Sequence, residues 1–140
     1  MRKLNLGCGQ EKKEGFIGID IKDYGQEIVR DLTRGIPFDS DSVDEIYSCH
    51  CLEHIERKDV PFIWEEIYRV LKPGAIAYIR VPHSSEREAF MMNHWSYWNE
   101  AVVEVLCNKW GSPDHFTKTN FEILENKKEG TELHIKLKKI

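Results

Sequence analysis

The sequence predicts a single α/β domain whose sheet is mostly parallel and closes with an antiparallel hairpin. Three observations indicate this class: short apolar segments that end in turns, an amphipathic helical segment that leads into a continuous apolar one, and a last segment in which apolar and polar residues alternate. The 140 residues fit one domain, predicted over 1–140. A chain of this length buries roughly two-thirds of the surface that it exposes when unfolded, so a core can form without disulfides or structural metal ions.

Five apolar segments predict the strands of the first half of the sheet: 4–6, 16–21, 27–32, 43–49 and 75–81. The last is apolar almost throughout, which is typical of a parallel strand covered on both faces. Only residues 7–15 and 22–26 connect the first three strands, whereas a parallel crossover normally takes about a dozen residues or more. We therefore expect the helices to be reduced in the N-terminal half.

Two helices are predicted in the second half of the chain. Apolar residues recur at helical spacing from Val60 to Leu71. Asp59 is predicted to cap this helix by accepting hydrogen bonds from its first free N–H groups, and residues 72–74 (KPG) are predicted to stop it. A second helix is predicted over 98–109, because Gly111 follows its periodic residues.

The chain ends with two apolar segments, 121–124 and 133–137. The second alternates apolar and polar residues, as an antiparallel strand with one face in solvent does. Turn-forming residues within 126–130 predict the hairpin that joins them.

Composition and charge argue against several classes of protein. The net charge of −4 argues against a dedicated nucleic-acid surface, because phosphate binding favours clustered lysine and arginine. The apolar runs are far shorter than the ~20 residues of a membrane-spanning helix, and the N-terminus lacks the pattern of a secretory signal. The four cysteines, at 8, 49, 51 and 107, are sparse, so we expect reduced thiols in a cytoplasmic protein.

The segment 49–54 (CHCLEH) carries residue types that bind metals. Zinc sites usually separate paired cysteines by at least two residues, whereas a single residue separates Cys49 from Cys51. The sequence shows no second ligand pair elsewhere. No metal site is therefore predicted.

Gly7 and Gly9 follow the first strand and Asp20 ends the second. Glycines at such a turn let the backbone bend sharply and approach a ligand closely, as in nucleotide sites. A carboxylate at the end of the next strand can accept both hydroxyls of a ribose. The combination predicts a nucleotide-type site at this edge of the sheet.

These residues also carry a resemblance to a known family. Residues 4–9 (LNLGCG) and 18–20 (GID) resemble the first two motifs of the class I S-adenosylmethionine-dependent methyltransferases, in particular the small methyltransferase type 11 domain. Further segments resemble the family's later motifs in the same order: 31–32 (DL), 36–47 (IPFDSDSVDEIY), 51–55 (CLEHI) and 68–74 (YRVLKPG). The matches cover about residues 4–82 and imply a Rossmann-like sheet.

The resemblance implies S-adenosylmethionine as cofactor. The residues expected to bind it are Leu6, Gly7, Cys8, Gly9, Asp20, Ile21, Asp31, Leu32, Cys49 and His50. Asp20 would hold the ribose hydroxyls, and Asp31 would lie near the exocyclic amine of the adenine. Cys49 and His50 would flank the sulfonium and the incoming acceptor.

The expected activity is transfer of a methyl group to an unidentified small-molecule or protein acceptor. A base is needed only where the acceptor must lose a proton, and His50 is the first candidate, followed by His83 and then His54, whose alternative role is to cap the following helix. The aromatic segment within 83–116 is expected either to pack on the sheet or to form a wall for the acceptor. The alternatives are a non-catalytic cofactor-binding domain that needs a partner and a nucleic-acid methyltransferase.

The assembly follows from the reduced helices. The strands at 4–6, 16–21 and 27–32 have apolar faces that the early chain is too short to cover. A large exposed apolar patch is unusual on a monomer. We therefore expect a homodimer, or a partner protein, against this half of the sheet.

Overall fold

A seven-stranded sheet dominates the computed structural model, which describes residues 1–111 and 116–140. The strands are β1 (Lys3–Leu6), β2 (Ile17–Asp20), β3 (Ile28–Val29), β4 (Val43–Cys49), β5 (Leu71–Pro82), β6 (Phe121–Glu129) and β7 (Glu132–Lys139). Their order is β3-β2-β1-β4-β5-β7-β6. Strands β1 to β5 pair in parallel, and β7 is antiparallel to both β5 and β6. The predicted fold class is confirmed.

Two α-helices accompany the sheet, α1 (Val60–Val70) and α2 (Glu100–Leu106). Single 3-10 turns fill the connections at Leu32–Arg34, Leu52–His54, Arg57–Asp59 and Arg87–Phe90. Residues 7–16 and 21–27, all of which the structure describes, contain no helix. The prediction that helices are reduced in the N-terminal half is therefore confirmed. Among the described residues, no helix has the length and apolar character needed to span a membrane.

The ends of both helices differ from the predictions. Asp59 precedes α1, but its side chain accepts no capping hydrogen bond from the described residues. It closes the preceding 3-10 turn and already has helical backbone angles, φ −97° and ψ −11°. Helix α2 is shorter than predicted. Asn99 caps its start by accepting a hydrogen bond from the Val102 N–H, and Asn108 adopts φ 58° just beyond its end.

Strand β5 begins directly after α1, without a loop. Residues 72–75 stand opposite Asp44 alone, because the pairing steps from Val43–Leu71 to Glu45–Ile76. The predicted helix stop is thus a bulge at the start of the strand. In the hairpin formed by β6 and β7, β6 runs to Glu129, and the turn lies at 130–131 rather than within 126–130.

One face of the sheet is covered and carries the core. The aliphatic residues of β1, β2 and β4 on this face are fully buried and share one cluster with α1. The main members of the cluster are Leu4, Leu6, Ile19, Ile46, Ile63, Trp64, Ile67, Ala77, Ile79, Trp98, Phe121, Ile135 and Leu137. Since successive strand residues point to opposite faces, the second face must be built from the residues between them.

That second face is polar and aromatic rather than aliphatic. Tyr47, Tyr78 and Lys136 lie on adjacent strands, and the Lys136 ammonium is 5.3 Å from the centre of the Tyr78 ring. Lys13, from the β1–β2 connection, lies 4.3 Å from the centre of the Tyr47 ring. Tyr78 and Arg80 are exposed, so the prediction that β5 is covered on both faces is wrong. The apolar residues of β1 and β2 point instead to the covered face, where Leu4, Leu6 and Ile19 are fully buried. The expectation that the early chain leaves the apolar faces of these two strands uncovered is therefore wrong.

An ion-pair network fixes the loop that leads into β4. Arg69 on α1 donates hydrogen bonds to both carboxylate oxygens of Glu66 and to the carbonyls of Ile36 and Phe38. Glu66 also accepts from the Ile36 N–H at 2.9 Å. The Arg69 hydrogen bonds lower the pKa of the Glu66 carboxyl below its ordinary value.

We expect Glu66→Gln to lower the free energy of unfolding at pH 7 by about 1.5–3 kcal/mol, the size of a hydrogen bond to a charged group. Because the folded pKa of Glu66 lies below its unfolded value, its stabilisation is present above the unfolded pKa of 4.5 and is lost as pH falls through the folded pKa. Denaturant unfolding of both proteins across this pH range checks it. The control is Glu65→Gln, which neutralises a neighbouring carboxylate on α1, while its amide oxygen can still accept the hydrogen bond from the Lys118 N–H. If the two variants lost equal free energy of unfolding, the ion-pair network of Glu66 and Arg69 would not stabilise the fold.

Candidate active site

The carboxyl ends of β1, β2 and β4 meet at one edge of the sheet, where open α/β sheets bind ligands. The turn after β1 needs glycine at both predicted positions, since Gly7 has φ 66° and Gly9 has φ 56°. The Gly7 N–H donates to the Ile19 carbonyl at 2.8 Å. A Cβ on Gly7 would lie 2.4 Å from the Cβ of Cys51, so the segment after β4 packs directly on this turn.

Asp20 joins the ends of β1 and β2. Its Oδ2 accepts a hydrogen bond from the Gly9 N–H at 2.9 Å, and its Oδ1 accepts from the Lys22 N–H at 3.1 Å. A carboxylate oxygen accepts two bonds, so each retains a lone pair. Ile21 beside it is 62% exposed. The edge therefore offers a half-buried carboxylate next to an exposed aliphatic side chain.

A cavity of about 210 Å³ adjoins this turn on the side where no helix follows β1. Cys8, Gly9, Gln26 and Glu27 contribute to its wall. Glu27 accepts from the Gly18 N–H at 2.9 Å, which lowers the pKa of its carboxyl. A larger depression of about 610 Å³ lies beside Phe121, at the opposite edge of the sheet. We place the site at the carboxyl edge, because the backbone donors and the Asp20 carboxylate are there.

The other predicted cofactor residues differ in the burial and the hydrogen bonds of their side chains. Leu6 is fully buried and Leu32 is 6% exposed, so both side chains belong to the core. Asp31 caps the 3-10 turn after β3, and its Oδ1 accepts from both the Thr33 N–H and the Thr33 hydroxyl. These bonds lower the pKa of the Asp31 carboxyl. Cys8 is buried, and burial raises the pKa of its thiol.

His50 ends β4 in a left-handed conformation, φ 56°. Its Nδ1 lies 3.3 Å from Glu53 Oε2, and its Nε2 lies 2.6 Å from Glu132 Oε2. The second contact is an ion pair without hydrogen-bond geometry, since Glu132 Oε2 makes no hydrogen bond within the described residues. Contacts with the Cys49 side chain and with Glu53 raise the pKa of His50 to about 10. At neutral pH His50 is therefore a cation, which donates protons and does not accept them.

His83 lies at the end of β5 and is held on both sides. Its Nε2 lies 2.6 Å from Glu100 Oε1, and its Nδ1 lies 2.8 Å from the Ser85 hydroxyl. The Ser85 N–H also donates to Nδ1 at 3.1 Å. The contact with His83 lowers the pKa of the Glu100 carboxyl. In this arrangement His83 connects β5 to α2.

The Cys51 thiol beside the glycine turn is not activated. Burial raises the pKa of the Cys51 thiol to about 12. All four cysteines are free, as predicted. Cys49 is partly buried beside His50 at the end of β4.

The aromatic segment 87–98 both packs on the core and presents rings to solvent. Trp98 is 1% exposed and packs against Trp64, with ring centres 5.8 Å apart. Trp95 and Tyr97 are more than half exposed. The N–H groups of Trp95 and Ser96 donate to the Glu53 carbonyl at 2.8 and 3.2 Å, so the exposed rings stand beside the segment that follows β4.

Three residues of this region carried no role in the sequence analysis: Glu53, His94 and Glu132. Glu53 lies within the matched 51–55 segment, which is the signal that could have drawn attention to it. Glu132 starts β7, opposite Pro82. No local pattern connects residues 82 positions apart such as His50 and Glu132. Only the antiparallel pairing of β7 with β5 brings them together.

The comparisons with known proteins agree with this geometry. The family model described as methyltransferase domain matches residues 4–79, more than half of the chain. A tRNA (carboxymethyluridine(34)-5-O)-methyltransferase of Arabidopsis thaliana is 29% identical over 126 residues, which cover 79% of this chain and 31% of that protein. The chain thus spans about a third of the length of this curated relative.

Solved structures share the fold at low identity. A complex between the Trm112 methyltransferase activator and a methyltransferase of Haloferax volcanii matches with a TM-score of 0.72 and 17% identity, over 99% of this chain and 81% of the matched one. A SAM-dependent methyltransferase of Aquifex aeolicus matches with a TM-score of 0.68 and 18% identity, over 100% and 82%. The 1,6-didemethyltoxoflavin-N1-methyltransferase of Burkholderia thailandensis, solved with S-adenosylhomocysteine, matches with a TM-score of 0.71 and 12% identity, over 99% and 70%.

The order of the strands, the glycine turn beside Asp20 and the match over residues 4–79 lead to one conclusion. The chain belongs to the methyltransferase domain family, the class I S-adenosylmethionine-dependent methyltransferases.

Proposed function

We propose that this domain transfers a methyl group from S-adenosylmethionine to a planar acceptor held beside the exposed rings of residues 87–97. The observation that supports cofactor binding is the hydrogen bond from the Gly9 N–H to Asp20, at the ends of two adjacent strands. Within the described part of the chain, nothing lies within 4 Å of the position of a Cβ on Gly9, so the turn leaves room for a ligand. The residues therefore fit the cofactor.

Each predicted cofactor residue has a role in this proposal. Asp20 accepts the ribose hydroxyls through its remaining lone pairs, and Ile21 packs on the adenine. Gly7, Cys8 and Gly9 present backbone to the methionine part, while Leu6 and Leu32 shape the site from within the core. Asp31, whose Oδ1 is occupied by Thr33, would accept a hydrogen bond from the adenine amine through Oδ2. Cys49 and His50 border the methyl donor.

The bound cofactor supplies an activated methyl group on a sulfonium, so the protein mainly has to align donor and acceptor. His50 is cationic at neutral pH and so does not act there as a base while its contacts with Cys49 and Glu53 persist. We propose that His50 instead holds Glu53 and Glu132 in place at the site. His83 remains a candidate base only if its contact with Glu100 opens.

The exposed rings support a planar acceptor. Phe90 and Tyr97 lie with ring centres 5.2 Å apart, and Trp95 is 59% exposed. Exposed aromatic faces bind planar rings by stacking. A heteroaromatic small molecule fits this description, and the proposal commits to that class.

A transfer RNA base is the second candidate. It is favoured by the similarity to the Arabidopsis enzyme and by the same exposed rings, since single-stranded bases stack on aromatic side chains. The net charge of −4 argues against it as the first choice. A partner protein is supported by the Haloferax structure, which was solved with an activator, and a homodimer stays a prediction.

We expect Trp95→Ala to lower kcat/KM for methyl transfer by about fivefold or more, since a stacked ring contributes about 1–3 kcal/mol. Cofactor affinity should change less than about twofold, because the Trp95 side chain is exposed outside the glycine turn. Incubation of the protein with cell extract and methyl-labelled S-adenosylmethionine identifies the labelled fraction, and kinetics then use that acceptor. Trp110→Ala, which removes another exposed indole, is the control.

Three outcomes of the labelling separate the hypotheses. Label in the small-molecule fraction supports the first choice, and label in the RNA fraction supports the second. Cofactor binding without transfer to any fraction would overturn the enzymatic proposal in favour of a binding domain.

A further inference from the structure

We propose that Glu53, His54 and His94 form a binding site for a divalent transition metal, with Zn²⁺ as the preferred ion. A ring nitrogen of each histidine and a carboxylate oxygen of Glu53 lie within 4.8 Å of one another. The two imidazole rings meet edge to face, with centres 4.8 Å apart. Two segments that are far apart in sequence thus bring three ligand-type groups to one point.

The histidines already have the hydrogen bonds that metal ligands usually have. His54 Nδ1 lies 2.8 Å from the Asn93 carbonyl, and His94 Nδ1 lies 3.2 Å from the Ala89 carbonyl. A carbonyl only accepts, so each Nδ1 carries the proton and each Nε2 keeps its lone pair. Fixing the tautomer through the second nitrogen is the arrangement that orients metal-bound histidines.

Glu53 supplies the independent observation that points to a cation. Its side chain is 2% exposed, and its Oε1 has no hydrogen-bond partner in residues 1–111 and 116–140. The other oxygen, Oε2, faces His50. A buried carboxylate oxygen without a partner is unfavourable, and a metal ion coordinated by it would remove that cost.

The backbone holds this cluster together. The Glu53 carbonyl accepts from the N–H groups of Trp95 and Ser96. The Ser96 hydroxyl donates to the Leu52 carbonyl at 2.9 Å. The turn at 52–54 and the segment carrying His94 are therefore fastened before any ion binds, and closing the ligand atoms around an ion needs only small side-chain movements.

The donor set selects the class of metal. Two imidazoles and one carboxylate are a ligand set of zinc sites that keep a fourth position open. Magnesium and calcium prefer oxygen ligands alone, so they should bind weakly. A second group, Cys49, His50 and Glu132, also has ligand-type atoms within 4.8 Å. Both ring nitrogens of His50 face carboxylate oxygens there, which leaves it no free lone pair to offer.

This inference departs from the sequence prediction of no metal site. That prediction considered the spacing of Cys49 and Cys51, which the proposed site does not use. His94 stands 40 residues after His54, beyond any local spacing pattern. A bound ion would fix the segment that carries Trp95 against the end of β4, and so order the aromatic rings.

Calorimetric titration of chelator-treated protein with Zn²⁺, and separately with Mg²⁺, tests the site without any cofactor or acceptor. We expect one Zn²⁺ per chain and a rise in the melting temperature on binding. His54→Ala should weaken Zn²⁺ binding by more than the roughly 10–100-fold that loss of a supporting hydrogen bond costs. His54 is exposed, so this variant should fold. Co²⁺ absorbance reports the ligand set directly.

The controls are Cys49→Ser and His134→Ala, which should bind Zn²⁺ as the natural protein does. Loss of binding in Cys49→Ser with retention in His54→Ala would assign the ion to the other group and overturn the proposal. Absence of saturable Zn²⁺ binding, or equal affinity for Mg²⁺, would also overturn it. None of these outcomes bears on methyl transfer, so the two proposals fail separately.

Discussion

Replacing Asp20 by alanine is expected to weaken the binding of S-adenosylhomocysteine by about a hundredfold or more. Two charge-assisted hydrogen bonds to a ribose are worth about 1.5–3 kcal/mol each, and every 1.4 kcal/mol is about tenfold in affinity. The variant also frees the Gly9 N–H, which Asp20 holds at 2.9 Å. Calorimetry on the two proteins gives the two dissociation constants.

Two matched variants separate the ribose contact from general effects of charge. Asp39→Ala removes an exposed carboxylate from the loop before β4, at the opposite edge of the sheet, and should leave the affinity unchanged. Asp20→Asn keeps one acceptor oxygen and should fall between Asp20→Ala and the natural protein. If Asp20→Ala bound as tightly as Asp39→Ala, Asp20 would not belong to the cofactor site.

Gly7→Ala is expected to lower the free energy of unfolding by about 2–5 kcal/mol. The left-handed conformation of Gly7, φ 66°, costs an alanine about 1–2 kcal/mol. The new methyl group would lie 2.4 Å from Cys51 Cβ and 2.5 Å from its sulfur, and such overpacking costs about 1–3 kcal/mol more. Denaturant unfolding measures the loss.

Gly9→Ala is the matched control for this prediction. Its φ of 56° is similar, yet nothing in the described part of the chain lies within 4 Å of the added methyl group. It should therefore lose only the conformational part, about 1–2 kcal/mol. The double variant Gly7→Ala with Cys51→Gly removes the closest contact and should be less destabilised than the two single changes added together. Additive losses would show that the contact with Cys51 does not matter.

The edge of the sheet shows how local patterns led to the site. Gly7, Gly9 and Asp20 could be predicted because turn chemistry is local: a positive φ requires glycine, and a strand-ending carboxylate is visible in the sequence. The same locality explains why the strand at 43–49 was predicted at its observed bounds. The hairpin turn was misplaced because β6 runs further than its apolar residues.

The surroundings of His50 could not be predicted in this way. Cys49 and Glu53 are its neighbours along the chain, but Glu132 reaches it only through the pairing of β7 with β5. From the sequence, His50 is a candidate base at the cofactor site. Contacts with the Cys49 side chain and with Glu53 raise its pKa, because groups that interact with the protonated imidazole favour that form.

The amino-acid sequence by itself determined the family, the class of fold, the glycine turn and the carboxylate beside it, because each depends on short segments read in order. The tertiary structure alone decided which face of the sheet stays uncovered and that Glu132 lies beside His50. It also decided that His94 lies against Glu53 and His54. These properties depend on contacts between segments about 40 to 80 residues apart, and a one-dimensional pattern carries no information on such distances.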